Sequence, residues 1–541
     1  MSGEVNINVV GSYTLTYSVT DSYGVSSSIT RIVNVEDTIL PVITLNGDAS
    51  VTIDVDTSYN DLGAIASDFD SHNLTSSIVV NNPVDITTAG TYYVTYNLTD
   101  EAGNQATEVV RTVQVSSGVQ TIIYSNSGAF AALKPDGSVV TWGNSDRGGD
   151  SSSVSSSLSG GVSSISSSFG AFAALKTDGS VVVWGNSNNG ADYSSVSSSL
   201  NNGVSALYST RNSFAALKTN GSVVTWGLSN SGGDSSSVSS SLTNGVSEIY
   251  SVRNGSFAAL KTNGSVVTWG SIFGGDSSSV SSSLSSGVSK IYSTLYSFAA
   301  LKTDGSVVTW GSSGSGGDSS SVSSSLSSGV TDIYSNGSAY AAVKTDGSVV
   351  TWGGSNGGDS SSVASSLSSG VSEIYSTELA FAALKTDGSV ITWGYASTGG
   401  DSSSVSSSLS AGVSAIYGTT YAFAALKTDG SVVTWGHSGY GGDSSSVASS
   451  LSSGVSEIYL NDAAFVAIKT DGSVVTWGSS NHGGNSSSVS SSLNSISVIY
   501  STTENPSKGA FAAIKTDGSV VTWGDSGYGG DSSSVASQLA A

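Results

Sequence analysis

Residues 118–160 read GVQTIIYSNSGAFAALKPDGSVVTWGNSDRGGDSSSVSSSLSG, and the fold of most of the chain turns on them. Val119–Tyr124, Phe130–Lys134 and Ser138–Trp142 are short apolar runs of strand composition. Pro135–Asp136–Gly137 separates the second from the third. An Asp-Gly turn between two such runs is a hairpin signal, and Gly137 supplies the permissive backbone angles. Alternation along the hairpin sends Ala131 and Leu133 one way, Phe130 and Ala132 the other. The alanines imply closely packed layers, with Phe and Trp filling wider gaps. Beyond Gly148–Gly149–Asp150, Val154 and Leu158 are four apart and Asp150 is placed as an N-cap. One or two helical turns fit, and so does an irregular outer strand, because serine is a weak helix former.

The unit recurs to the end of the chain with a period of about 42 residues. Each copy holds one of the 10 tryptophans: Trp142, Trp184, Trp226, Trp269, Trp310, Trp352, Trp393, Trp435, Trp477 and Trp523. The expected fold class is therefore all-β. The unit resembles the regulator-of-chromosome-condensation-type repeat, whose core pattern is occupied by Ala131–Leu133, Asp136–Gly137, Val139, Trp142–Gly143 and Gly148–Gly149. The resemblance implies a β-propeller with one blade per repeat. Three departures are plain: shorter units, no Gln-Leu-Gly ending or His before the Ala-Leu strand, and more copies than is customary. A ten-repeat β-propeller-like array over residues 117–541 is expected, with an open spiral or a β-solenoid as the alternatives.

The region before the repeats contains an echo of its own. GSYTLTYSVTDSYG begins at Gly11 and GTYYVTYNLTDEAG at Gly90; Tyr13, Tyr17, Asp21 and Gly24 recur as Tyr92, Tyr96, Asp100 and Gly103, and Arg31 as Arg111. Tyr92, Val94, Tyr96 and Leu98 alternate with polar neighbours, as a half-buried strand requires. Val42–Leu45, Ser50–Val55, Ser76–Val80 and Ala106–Val115 are further strand candidates, and an antiparallel sandwich is the natural product. With LPVITLNG at Leu40–Gly47 and YNDLG at Tyr59–Gly63, this region resembles the immunoglobulin-like domains strung along bacterial surface proteins. The expected organisation is the C-terminal part of one module at 1–35, a whole immunoglobulin-like β-sandwich at 36–116, and the repeats. A first module without its opening strands reads as a fragment of something larger.

Composition narrows the function classes. Forty Asp and Glu against 17 Lys and Arg give a formal charge of −23. Such a field disfavours nucleic acid and anionic lipid as partners and favours divalent cations. The absence of cysteine excludes disulfides, thiolate metal sites and Cys nucleophiles. No apolar run reaches membrane-spanning length, so no membrane insertion is expected, and residues 1–35 contain no signal peptide pattern.

Overlaying the copies shows where the unit tolerates change. The strands barely vary. Variation concentrates between the first strand and the Phe-Ala strand, and between Trp-Gly and Gly-Gly-Asp. Arg147, Arg211, Arg253, Phe273, Tyr296, Tyr395, His437, Tyr440, His482 and Tyr528 stand out there against a Ser/Gly background, and they are the candidate binding-loop residues. Each histidine, His72 included, reads as a single exposed residue, and no nucleophile, zinc or phosphate-loop motif is present, so no enzyme is expected. The turn aspartates, replaced by Asn220 and Asn263 in two copies, read as structural because Asn keeps the turn hydrogen bonds without the charge. Asp37, Asp68, Asp70, Asp100 and Glu101 offer hard oxygen ligands near module ends, making calcium the one possible cofactor. The expected function is an extracellular adhesion or recognition module, cell-surface or part of a phage virion. It would contact a glycan or cell-surface protein beside neighbouring modules of a larger chain; a structural spacer, coat or filament component is the alternative.

Overall fold

The computed structural model describes residues 1–55, 57–68, 73–88, 90–116, 121–505 and 507–539. It contains two compact units, Met1–Val119 and Gln120–Ala541.

In the first unit, β1 (Gly11–Thr20) and β2 (Ser26–Val35) pair as an antiparallel hairpin. Six strands follow: β3 (Val42–Leu45), β4 (Ser50–Asp54), β5 (Ala64–Ser67), β6 (Val79–Asn81), β7 (Gly90–Asn97) and β8 (Val109–Ser116). β3 pairs with β5, while the other sheet has the order β4-β8-β7-β6, parallel only at β4–β8. The alternation in β7 does what it promised: Val94 and Tyr96 enter the core with Ile43, Ala66, Val113 and Val115, while Tyr93 faces out. Among the described residues, no layer covers the equivalent face of the β1–β2 hairpin. Val19 is 69% exposed, whereas its counterpart Leu98 is 2% exposed.

Arg111 is the charged group inside this core. Its guanidinium pairs with Asp61 and donates to the Tyr96 hydroxyl (3.0 Å) and to the carbonyls of Asp48 (3.0 Å) and Gly63 (3.3 Å). A buried guanidinium is tolerated only when its donors are consumed in this way.

The second unit consists of ten three-stranded antiparallel sheets, none closed into a barrel. The first has an inner strand β9 (Ile122–Ser125), a middle strand β10 (Ala129–Leu133) and an outer strand β11 (Val139–Gly143). Val119, expected to open the inner strand, lies outside the described residues. The Asp-Gly turn forms as read, with Asp136 accepting from the Ser138 amide (2.9 Å) and hydroxyl (2.6 Å). The SSSVSSSL segment is a 3-10 turn at Ser152–Val154, opened by the Asp150 carboxylate accepting from the Ser152 amide (2.8 Å).

Consecutive sheets share one core. Ala129, Ala131 and Leu133 pack on Ile165, Phe172 and Trp184 of the next unit. Each unit stacks an aromatic on its tryptophan, as in Phe130–Trp142 at 5.2 Å. That tryptophan also donates its indole N–H to a glycine carbonyl of the preceding unit, as Trp184 does to Gly148 (3.0 Å). The same contacts join the tenth unit to the first. Trp142 donates to Gly529 (3.1 Å), Ser125 Oγ donates to the Ser501 carbonyl (2.7 Å), and Phe130 and Ala132 pack on Ala510, Ala512 and Leu539. The array is a ring whose last sheet is bonded to its first.

Candidate functional site

Hairpin geometry decides where the variable segments go. The first joins inner to middle strand and the second leaves the outer strand, so both emerge at the same end of the sheet. Backbone bonds tie them together: Asn144 N–H to Gly128 O (2.9 Å), Tyr395 to Leu379 (2.9 Å), His437 to Tyr421 (2.9 Å) and Asp525 to Gly509 (3.0 Å). All the variable loops therefore occupy one face of the ring.

At the axis of that face is a cavity of about 590 Å3. The residue two beyond one inner-strand position, a serine in eight units and Gly418 or Leu460 in the others, contributes to its lining in every unit: Ser127, Phe169, Arg211, Arg253, Leu295, Gly337, Glu378, Thr420, Asp462 and Thr503, with Glu504 alongside. Only arginine and threonine occur twice, although the flanking strands are nearly identical. Backbone bonds link these residues around much of the mouth: Phe169 N–H to Arg211 O (3.1 Å), Arg211 to Arg253 (3.1 Å), Gly337 to Glu378 (2.9 Å), Glu378 to Thr420 (2.9 Å) and Thr420 to Asp462 (3.0 Å). Below them the inner-strand serines form a second belt, with Ser167 Oγ on Ser125 O (2.7 Å) and Ser209 Oγ on Ser167 O (2.6 Å). The positions that vary most are held by a backbone that varies least.

Charge is divided around the mouth. Arg211 and Arg253 come from the third and fourth units; Glu378, Asp462 and Glu504 come from the seventh, ninth and tenth. Arg253 Nε is 3.3 Å from Glu504 Oε1, and Glu504 holds a left-handed backbone (φ 68°) there. Burial pushes the Asp462 carboxyl above the usual range, opposed by the backbone N–H groups of Asn505 and Glu504 and by Arg253.

A cation–aromatic ladder leads outward from the mouth. Arg211 lies 4.2 Å from the Phe169 ring, Arg147 lies 4.7 Å from Phe169 and 5.2 Å from Tyr528, and Lys508 lies 5.5 Å from Tyr528. Lys508 also pairs with Asp525 at 3.0 Å, which raises its pKa. Two aromatic groups lie elsewhere on the face: Phe273 edge-on to Tyr296 (5.4 Å), and Tyr440 edge-on to Tyr421 (4.7 Å) and His437 (5.1 Å). Tyr395 stands apart and is 52% exposed.

One expectation needs correction. His482 is no exposed loop residue: it is 3% exposed, with Nδ1 against Ser479 Oγ (3.0 Å) and Nε2 against the Asn505 carbonyl (3.0 Å). The long segment of the tenth unit folds over it and uses its ring as a bridge. His72 lies outside the described residues. Phe169, Tyr421, Glu378, Asp462, Glu504 and Lys508 did not stand out in the sequence. The signal that finds Phe169, Glu378 and Asp462 is variability at one repeat position, rather than the size of the residue found there.

In the first unit, carboxylate oxygens of Asp37, Asp68 and Asp100 lie within 4.8 Å of one another. Calcium–oxygen bonds of roughly 2.3–2.6 Å allow three such oxygens to share one ion, and hard anionic oxygens are the donors calcium prefers. Asp100 is set for this: despite partial desolvation, the Asn104 side chain and the amides of Asn104, Ala102 and Gly103 hold its carboxyl below the usual range. Glu101 is not in the group and projects from an exposed turn; Asp70 lies outside the described residues. Among the described residues, no helix is long and apolar enough to cross a membrane.

Residues 1–35 and 43–115 match the family model of the bacterial surface protein Ig-like domain. No curated protein matches the chain. Solved structures similar to it include the ectodomain of the Physcomitrella patens receptor kinase CR4, at 16% identity over 51% of this chain and 73% of that one, TM-score 0.28. Prp20p from Saccharomyces cerevisiae is 15% identical over 51% and 72%, TM-score 0.28. The computationally designed Ika8 protein is 13% identical over 59% and 96%, TM-score 0.25. The Ig-like match supports an extracellular or cell-surface location, and its non-catalytic character agrees with a non-enzymatic protein.

Proposed function

We propose that this chain is a recognition module of an extracellular or cell-surface protein, with immunoglobulin-like modules at 1–35 and 36–116 carrying a ten-bladed β-propeller at 117–541. The observation behind this reading is the concentration of variation on one face of an otherwise repeating ring. A scaffold that fixes its strands and varies adjoining loops is suited to binding. The propeller reading is supported by the bonds between tenth and first units, which a stacked solenoid would leave unmade at its ends. Glycans and cell-surface proteins are the partners that the aromatic and charged loops suit, with a phage virion as the alternative setting.

A second reading, a spacer, coat or filament component, is favoured by the uniformity of the units. An Ig-like surface match fits such a component better than it fits a specific ligand-binding role. Binding of the full chain to a glycan and cell-surface panel separates the two. Saturable binding weakened by replacing Tyr395, His437 and Tyr440 with Ser supports recognition. No binding at high protein concentration leaves the structural reading.

A further inference from the structure

We propose that the axial mouth binds one carboxylate carried on a hydroxyl-rich body, an acidic sugar residue, with Arg211 and Arg253 holding the carboxylate. This rests on the recognition reading above and names the ligand class for its face.

The placement of positive charge comes first. In a chain of formal charge −23, each unit of the ring repeats one lysine at the end of the middle strand. Most of these are spent on serine carbonyls, as Lys176 is on Ser157 (3.1 Å) and Lys218 on Ser199 (2.9 Å). Apart from that lysine the ring has Arg147, Arg211, Arg253, Lys290 and Lys508. Four of the five belong to the variable face, in one arc from the tenth unit to the fourth. A cationic arc on an acidic protein concentrates an anionic ligand there and not elsewhere.

The two axial arginines also have unused donors. Arg211 makes no side-chain hydrogen bond to any described residue; stacking on Phe169 at 4.2 Å holds it in place. Arg253 Nε is buried without a hydrogen bond, and the Glu504 carboxylate beside it supplies charge alone. Planar guanidinium donors held by stacking and left unfilled suit a carboxylate. Arg147 covers Phe169 from its own side at 4.7 Å and fixes the ring that fixes Arg211.

The rest of the mouth limits what carries that carboxylate. Glu378 and Asp462 accept hydrogen bonds from hydroxyls and repel a second anion. Serine, threonine and asparagine side chains dominate the wall, with few apolar groups to hold an aliphatic body. The cavity volume of about 590 Å3 suits a small ligand or the end of a chain. A nucleic-acid strand or acidic peptide would bring several charges against the same carboxylates.

The test is calorimetric titration of the full chain with D-glucuronate, D-galacturonate and N-acetylneuraminate. D-glucose, acetate and inorganic phosphate are the comparison ligands. At least one acidic sugar is expected to bind at least tenfold more tightly than glucose or acetate. Arg211→Gln should weaken it about tenfold, the scale of a charge-assisted hydrogen bond, with an unchanged thermal midpoint. Glu378→Gln should relax the repulsion and improve binding of the dicarboxylate D-glucarate, which a merely structural role would not do. The proposal is overturned if no acidic sugar binds, if glucose, acetate or phosphate binds as well, or if folded Arg211→Gln and Arg253→Gln variants bind like the parent. If acidic sugars fail while the chain still binds neutral glycans or proteins on the panel, this inference falls and the recognition reading stands; failure of both removes both.

Discussion

The guanidinium of Arg147, in the first repeat, lies 5.2 Å from the ring of Tyr528, in the last. The contact crosses the junction where the array meets its own beginning. Arg147 also donates to the Ser127 carbonyl (2.9 Å) and hydroxyl (2.6 Å), whose hydroxyl in turn donates to the Phe169 carbonyl. One side chain thus ties the tenth, first and second units together beside the axial mouth. Arg211 continues the ladder across the next junction but one, over Phe169, and all the junctions share the repeating contacts.

Replacing Arg147 should therefore loosen the mouth before it unfolds the ring. Arg147→Gln loses both ring contacts and charge-assisted hydrogen bonds, a cost of about 2 kcal/mol. Amide exchange should speed up at Ser127–Phe130 and Phe169–Ala171, while strands of the fifth and sixth units stay protected. Arg147→Lys should retain part of the effect, because lysine keeps the charge and loses the planar fork. Uniform acceleration around the ring would count against a local role.

Ring closure gives a second expectation. Trp142 bonds Gly529 across the junction at 3.1 Å, as Trp310 bonds Gly274 at 3.0 Å inside the array. Replacing either by Phe removes one buried donor and orphans a carbonyl, costing about 1–3 kcal/mol. Equal losses in denaturant stability are expected, because each site has a neighbour on both sides. In an open array the first unit would have no preceding neighbour, and Trp142→Phe would cost much less than Trp310→Phe.

The two parts of the chain were legible to different depths. The hairpin, its Asp-Gly turn and the two-way facing of Ala131 and Phe130 are local, and alternation with turn chemistry is enough to read them. Closure was not legible, because it depends on the small rotation between neighbouring sheets, and no residue of a repeat encodes that alone. The axial site was missed for a related reason. Arg211 and Glu378 look like unconnected loop residues until the ring brings their repeat position to a common axis. His482 reads as exposed in the sequence because the longer loop of the tenth unit, whose Asn505 carbonyl meets its ring, has no counterpart in the other units. In the first unit, Tyr96 and Arg111 are visible in the sequence as recurring residues, but their contact with Asp61 requires the sandwich to form.

That contact should make the first unit sensitive to acid. Asp61 is partly desolvated, which alone would raise its pKa, but the hydroxyls of Tyr96 and Tyr59, the Gly63 amide and Arg111 together hold it below the usual carboxylate range. A carboxyl depressed on folding contributes stability that is full above its unfolded pKa, near 3.9, and is lost as pH falls through the folded value. Arg111→Met leaves Asp61 without its cation and should cost about 3–5 kcal/mol at neutral pH. The variant should also lose part of the steep acid limb. Every tryptophan and most tyrosines lie in the ring, so limited proteolysis within Met1–Val119 is the readout. An acid limb unchanged in Arg111→Met would show that other carboxylates control it.

The same unit provides the calcium test. Asp37, Asp68 and Asp100 converge from the segment before β3, the end of β5 and the turn after β7, so an ion there would join three stretches of chain. Binding to the folded unit alone stabilises it by about 2.7 kcal/mol when free calcium is one hundred times Kd. Millimolar calcium should therefore slow proteolysis of Met1–Val119 and leave the tryptophan-reported unfolding of the ring unchanged. Asp68→Asn should abolish the protection, whereas Glu101→Gln, outside the group, should not. Lowering pH should remove the effect by the point at which Asp100 protonates, below the usual carboxylate range because Asn104 holds its charged form. If calcium protects the Asp68→Asn variant as well as the parent, the ion binds elsewhere; if it protects neither, the three carboxylates serve only the turns in which they stand.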